Sequence, residues 1–137
     1  MIKTYEECIC FLFAKANQKA QSTMKRRLKP YKLTGVQILI LEALWEEDGQ
    51  TAGEIARRVS LDNATLSGVL DRLADSGWVL KETDHQDKRA LKVRLSSKAL
   101  ATKGELLEVR EEVNHEILHS LAPEEVRLFK RFLAEVR

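Results

Sequence analysis

Apolar positions recur at three- and four-residue spacing through most of the chain and give way to strict alternation near residue 91. Leu66, Val69, Leu70 and Leu73 fall at i, i+3, i+4 and i+7, the stripe of an amphipathic helix. Asp62 stands where a cap would accept from the first free backbone N–H groups. The face opposite the stripe holds Ala64, Gly68, Asp71 and Asp75, flanked by Thr65, Ser67 and Arg72. Its first two turns carry only small or hydroxylated side chains, so another surface can come close to the backbone. Gly68 costs an exposed helix interior about 1 kcal/mol relative to Ala. Ser and Thr on such a face suit a DNA major groove, where they meet base edges. On this segment alone, a solvated amphipathic helix accounts for the pattern equally well.

The flanks shift that balance. Thr51 to Arg58 predicts a short helix with Ile55 and Val59 inward, and Ser60-Leu61 is a tight link to the next helix. Two helices joined in this way form a helix-turn-helix. Gly77 ends the second helix, and Trp78-Val-Leu-Lys-Glu begins a strand. Leu91, Val93 and Leu95 alternate with Lys92 and Arg94 as a half-buried second strand. Between the strands, Thr83 to Ala90 is polar and too long for a two-residue turn, so it predicts a projecting wing.

Outside this centre the chain reads as helix. Thr4 to Lys29 predicts one long helix ended by Pro30, apolar all round from Cys8 to Ala14. Thr34 caps the next helix, which turns Val36, Ile38, Leu39, Leu41, Leu44 and Trp45 inward, with Trp45 as a core residue or a ligand-pocket wall. Ser96 caps a long helix to about His119, and Pro123-Glu-Glu opens a last one with Val126, Phe129, Leu133 and Val136 in its stripe. Terminal helices too apolar for one small subunit predict a second copy, most simply related by a two-fold axis. The expected fold class is mainly α with a small β-hairpin.

Leu33-Thr34-x-x-Gln37, Leu61-Asp62, Arg72-Leu73, Gly77 and Asp87-x-Arg89, in that order from about Lys32 to Ala99, resemble the MarR family of bacterial transcription regulators. Helices on both sides extend the likeness to nearly the whole chain. Asp84-His85 stands where the family carries Asp-Pro, and Ser96-Ser97-Lys98-Ala99 follows Leu95 where it carries Thr-x-x-Gly. The resemblance implies one domain over residues 1–137, with a winged helix-turn-helix core at 32–99 and dimerisation helices at 1–31 and 100–137. It implies a homodimeric, sequence-specific DNA-binding repressor, released by a small apolar ligand or by oxidation. The expected partner is double-stranded DNA with a pseudo-palindromic operator, half-sites about one turn (~34–36 Å) apart. Asn63, Ala64, Thr65, Ser67, Gly68 and Arg72 are the expected major-groove residues, and Lys88 and Arg89 the wing contacts. Asp87 is expected to support the wing by holding an arginine, Arg72.

Composition and charge refine this picture. Hydrophobic residues at 44% and charged ones at 32% describe a soluble globular chain of one domain, and no run approaches 18 apolar residues. The opening residues lack a signal-peptide pattern, so a cytoplasmic protein with reduced cysteines is expected. Net charge is only +2, and residues 54–98 hold nine bases against seven acids. Phosphate binding therefore depends on placing Arg57, Arg58, Arg72, Lys88, Arg89, Lys92 and Lys98 on one surface. The run Lys25-Arg-Arg-Leu-Lys is read as a solvated helix end favoured by the helix dipole.

No phosphate-binding glycine loop and no nucleophile beside a recognisable base appears, so no enzyme, cofactor or metal is expected. Cys8 and Cys10 with His115 and His119 fail as a metal set, because helical residues two apart point about 200° away from each other. Cys10 has two readings. Its spacing from Gln37, Trp45 and Leu61-Asp62-x-x-Thr65-Leu66 is similar to that of the family's organic-hydroperoxide sensors, which makes it a candidate redox sensor. The positions matching the sensors' supporting tyrosines hold Ala14, Met24 and Gly35, and without those hydroxyls a buried structural cysteine is favoured. Two other functions stay open. Asp71 and Asp75 on the exposed helix face suit a protein-interaction module, and Cys10 alone supports a thiol enzyme.

Overall fold

The computed structural model describes residues 1, 4–87 and 89–137. The helices are α1 (Ile9–Leu28), α2 (Gly35–Glu46), α3 (Ala52–Val59), α4 (Asn63–Asp75), α5 (Ser97–Leu118) and α6 (Pro123–Glu135). The strands are β1 (Gln50–Thr51), β2 (Val79–Thr83) and β3 (Leu91–Leu95). Single 3₁₀ turns lie at Tyr5–Glu7 and Lys29–Tyr31. The chain divides into two compact units, Leu28–Leu106 and a second formed by Met1–Arg27 with Leu107–Arg137. Among the described residues no helix is long and apolar enough to cross a membrane.

In the Leu28–Leu106 unit, each helix begins where a side chain can satisfy its free N–H groups. Thr34 Oγ1 accepts from Gln37 N at 3.2 Å, and Gln37 Oε1 accepts from Thr34 N at 2.9 Å, a reciprocal cap. Thr51 and Glu54 repeat the arrangement for α3, both bonds at 3.2 Å. Behind these caps Ile40, Leu41, Leu44, Ile55, Leu66, Leu70 and Leu73 are buried, with Trp78, Val79 and Val93 from the sheet side, whereas Val36 and Leu39, expected inward, lie on the exposed side of α2. Trp45 is only half-buried, and its indole N–H is enclosed with no acceptor among the described residues.

The expected hairpin is a three-stranded antiparallel sheet in the order β1-β3-β2. Val79 lies opposite Leu95, Lys81 opposite Val93 and Thr83 opposite Leu91. The added strand β1 is two residues long, too short to show a period of two. It is fixed by Gln50, whose buried Nε2 donates to Ala43 O at 2.9 Å and Glu47 O at 2.6 Å and so closes the end of α2.

In the other unit, the expected single N-terminal helix is broken at Cys8, whose φ of −68° and ψ of 127° are extended. The basic run at the end of α1 is not simply solvated. Arg26 pairs with Glu116, and Arg27 reaches Glu112 at 2.6 Å and Glu116 at 3.4 Å. Large apolar side chains remain exposed on α1 (Ile9, Leu12, Phe13) and on α6 (Leu128, Phe129, Phe132, Leu133).

Candidate nucleic-acid interface

The cap of α4 sets the site. Asp62 Oδ1 accepts from Thr65 N at 2.8 Å, and Asp62 Oδ2 accepts from the Thr65 hydroxyl at 2.7 Å. These donors, the backbone N–H first, hold the Asp62 carboxyl below its usual range. Thr65 therefore presents oxygen lone pairs outward rather than a free O–H. Asn63, Ala64, Thr65, Ser67 and Arg72 are exposed and Gly68 is half-buried, while Leu66, Val69, Leu70 and Leu73 turn inward. A Cβ added at Gly68 would meet only Arg72 Nη1, at 3.7 Å. The notch at Gly68 thus opens to solvent, with the Arg72 guanidinium at its edge.

The far end of α4 is locked. Gly77 adopts φ 81°, Trp78 N donates to Leu73 O at 2.9 Å, and Gly77 N donates to Ala74 O at 3.1 Å. This pair of bonds is a Schellman ending, which the glycine makes free of Cβ strain. Ser96 Oγ donates to Gly77 O at 2.6 Å and accepts from Ala99 N at 3.2 Å, so one hydroxyl closes α4 and opens α5. Lys98 Nζ donates to Ser76 O at 3.1 Å and lies 4.3 Å from the Trp78 ring centre.

The wing is shaped by its own aspartates. Asp84 Oδ1 accepts from Gln86 N at 3.1 Å, a side-chain turn at the position where the resemblance leads one to expect Asp-Pro. The expected Asp87–Arg72 pair is absent among the described residues. Asp87 Oδ1 instead accepts from Arg89 N at 3.0 Å, because a short carboxylate reaches the backbone two residues on more readily than a distant guanidinium. Asp87 thus supports the wing through its backbone. The Arg89 side chain is exposed, and Lys88 lies outside the described residues.

Not every base expected on this surface is available. Arg58 is taken up by Glu47 and, at 3.4 Å, by Glu46; Lys98 is held at the end of α4; and Lys92 sits 3.9 Å from Asp84. Arg94 pairs with Glu82 at 2.7 Å. Arg57, Arg72 and Arg89 form no ion pair among the described residues. Asp71, on the exposed face of α4, is met by Lys81 from β2. Nothing in the spacing of the sequence signalled that pair.

The cysteines also differ from expectation. Cys10 is exposed rather than buried, and Cys8 is half-buried at the start of α1. The backbone N–H groups of Phe11 and then Cys10 point at the Cys8 thiol and hold it below the usual thiol range. The donors that sequence reasoning failed to find for Cys10 are main-chain groups, and they serve Cys8. The break that frees them was hidden in a continuous apolar pattern.

A short helix, a three-residue turn, an exposed second helix and a two-stranded wing define a winged helix-turn-helix protein. Residues 33–91 match the MarR family. The chain is 35% identical over 98 residues to the HTH-type transcriptional regulator TtmR of Methylorubrum extorquens, a match covering 72% of this chain and about half of that relative's length. A probable transcriptional regulator from Pseudomonas aeruginosa has the same fold, with a TM-score of 0.93, 27% identity and coverage of 98% of this chain and 100% of that one. A mutant of E. coli MarR, solved in complex with operator DNA, superposes with a TM-score of 0.87 at 25% identity, over 98% of this chain and 99% of that one. The chain belongs to the MarR family of DNA-binding transcription regulators.

Proposed function

We propose that the protein is a homodimeric, sequence-specific repressor in which α4 enters the major groove and the wing reaches the flanking minor groove. The observation that carries this is the outer face of α4. Ala64, Thr65, Ser67 and Gly68 offer no side chain larger than Thr, with Leu66 turned inward, and Arg72 and Arg89 stand unpaired beside them among the described residues. The expected contacts are Asn63, Ala64, Thr65, Ser67, Gly68 and Arg72, with Lys88 and Arg89 from the wing. The operator complex of E. coli MarR supports the same use of the fold. The exposed apolar faces of α1 and α6 support a second copy as their cover, because contiguous apolar surface of this kind marks an interface. The enclosed Trp45 indole N–H, a donor wanting an acceptor, supports release by a small, largely apolar ligand. The lowered Cys8 thiol supports release by oxidation, at Cys8 rather than Cys10.

The test is selection of bound fragments from genomic DNA with the purified protein, followed by salt titration on selected and scrambled duplexes. Arg89→Ala should weaken binding to both and lower the log–log salt slope by roughly one unit. Ser67→Ala should cost about 1–3 kcal/mol of discrimination and little non-specific affinity. If neither changes slope or discrimination, this surface does not meet DNA. A protein-interaction module would then be the better account, although the pairing of Asp71 with Lys81 removes much of the acidic surface that favoured it.

A further inference from the structure

We propose that Lys81 is a positioning residue for DNA reading, which masks the Asp71 carboxylate and ties the base of the wing to the third turn of α4. The inference rests on α4 being the helix that meets DNA. Asp71 follows Gly68 by three residues and shares its exposed side, so a face brought against phosphates and base edges would carry a bare negative charge there. Lys81 Nζ meets Asp71 Oδ1 directly. The ammonium comes from β2, where pairing of Lys81 with the buried Val93 of β3 fixes its backbone, so the masking charge is delivered by the sheet that also carries the wing. The Lys81 side chain is 28% exposed against 60% for Asp71, so the cation is the better-anchored partner.

Loss of one effective positive charge from a DNA-binding surface lowers affinity about eightfold at ~0.1 M salt, because affinity follows salt to a power near −0.9 per charge. Lys81→Met should therefore weaken binding about eightfold per DNA-bound subunit, on selected and scrambled duplexes alike, and reduce the salt slope by roughly one unit. Adding Asp71→Asn to Lys81→Met should restore affinity to within about twofold of the unmodified protein, since the charge to be masked is gone. Lys81→Arg should bind as the unmodified protein does. Asp71→Asn alone should tighten the scrambled duplex more than the selected one, because it frees a cation without adding base contacts.

Two results would overturn the proposal directly. If the double variant stays as weak as Lys81→Met, the ammonium is itself a phosphate contact. If Lys81→Met lowers the thermal midpoint but leaves affinity and slope unchanged, the pair is only structural. Gly68→Leu run alongside separates the underlying assumption: should it bind the selected duplex normally, α4 does not meet DNA, and the role of Lys81 falls with it.

Discussion

One substitution at the Gly68 notch is expected to drive folding and DNA reading in opposite directions. A Cβ at this position meets a single atom, the end of the flexible Arg72 side chain, at an ordinary contact distance of 3.7 Å. Gly68→Leu should therefore gain most of the ~1 kcal/mol that separates Gly from good helix formers in a helix interior. For 137 residues the unfolding entropy is roughly 0.29 kcal/mol/K, so the thermal midpoint should rise by about 3 °C at equal protein concentration. The same side chain would project from the exposed face on which the proposed DNA contacts lie. Specific binding should drop by at least ~100-fold, while scrambled duplex, held mainly by phosphate contacts, should lose no more than about threefold. Gly68→Ala should give the same gain in midpoint and a smaller loss of specificity. The assays are calorimetry and fluorescence anisotropy on labelled duplexes, in the same buffer. A midpoint that falls would refute the open geometry at Gly68, and unchanged specific binding would refute the placement of DNA there. A variant that is more stable and less specific cannot be explained by damage to the fold.

Three further outcomes are expected. The thermal midpoint should rise with protein concentration if the apolar faces of α1 and α6 are covered by a second copy; a folded monomer at micromolar concentration in sedimentation would count against that, and deletion of residues 126–137 should cost solubility as well as DNA binding. The Cys10→Ser variant should be alkylated at Cys8 by iodoacetamide with a rate–pH midpoint below that of free cysteine, and an ordinary midpoint would remove the backbone donors from the account. Glu116 is held below the usual carboxylate range, first by its hydrogen bond from Arg26, so the native state is the more acidic form. Its stabilisation is then present above the unfolded-state value near 4.3 and is lost as pH falls through the native one. Glu116→Gln should accordingly flatten the fall in thermal midpoint on acidification, and an unchanged acid profile would rule out the Arg26–Glu116 pair as a contributor.

The parts that local chemistry decides are legible in the sequence. Thr34 with Gln37, Thr51 with Glu54, and Asp62 three residues ahead of Thr65 each announce a helix start, because a cap needs only its own neighbours. The stripe Leu66–Leu73 marks the inward face of α4, and the alternation marks that of β3 at Val93 and Leu95, while Leu91 at the wing end is exposed. What escaped was long-range charge pairing. Asp71 with Lys81 spans ten residues, Arg58 with Glu47 eleven, and Arg26 with Glu116 ninety, and no periodicity links such partners. Charge alone thus offers Arg58 and Lys98 to phosphate, whereas the fold spends them on a neighbouring carboxylate and on a helix end. Strand β1 escaped because a two-residue strand exists only by virtue of its partner. Cys8 gives no signal beside Cys10, because a helix break inside an apolar run leaves no mark in composition.

The joint between α4 and α5 separates two tasks that a single helix usually combines. Ser76, Gly77, Ser96 and Lys98 do the fastening, whereas Ala64 to Gly68 lie two turns and more away and take no part in it. On the α4 side the fastening atoms are the carbonyls of Ser76 and Gly77, present whatever side chains precede them. Side chains at positions 64, 65, 67 and 68 can therefore be exchanged with the joint left intact. The reverse also holds. A change at Ser96 or Lys98, in turn, acts on the last turn of α4 and leaves the side chains at 64, 65, 67 and 68 as they are.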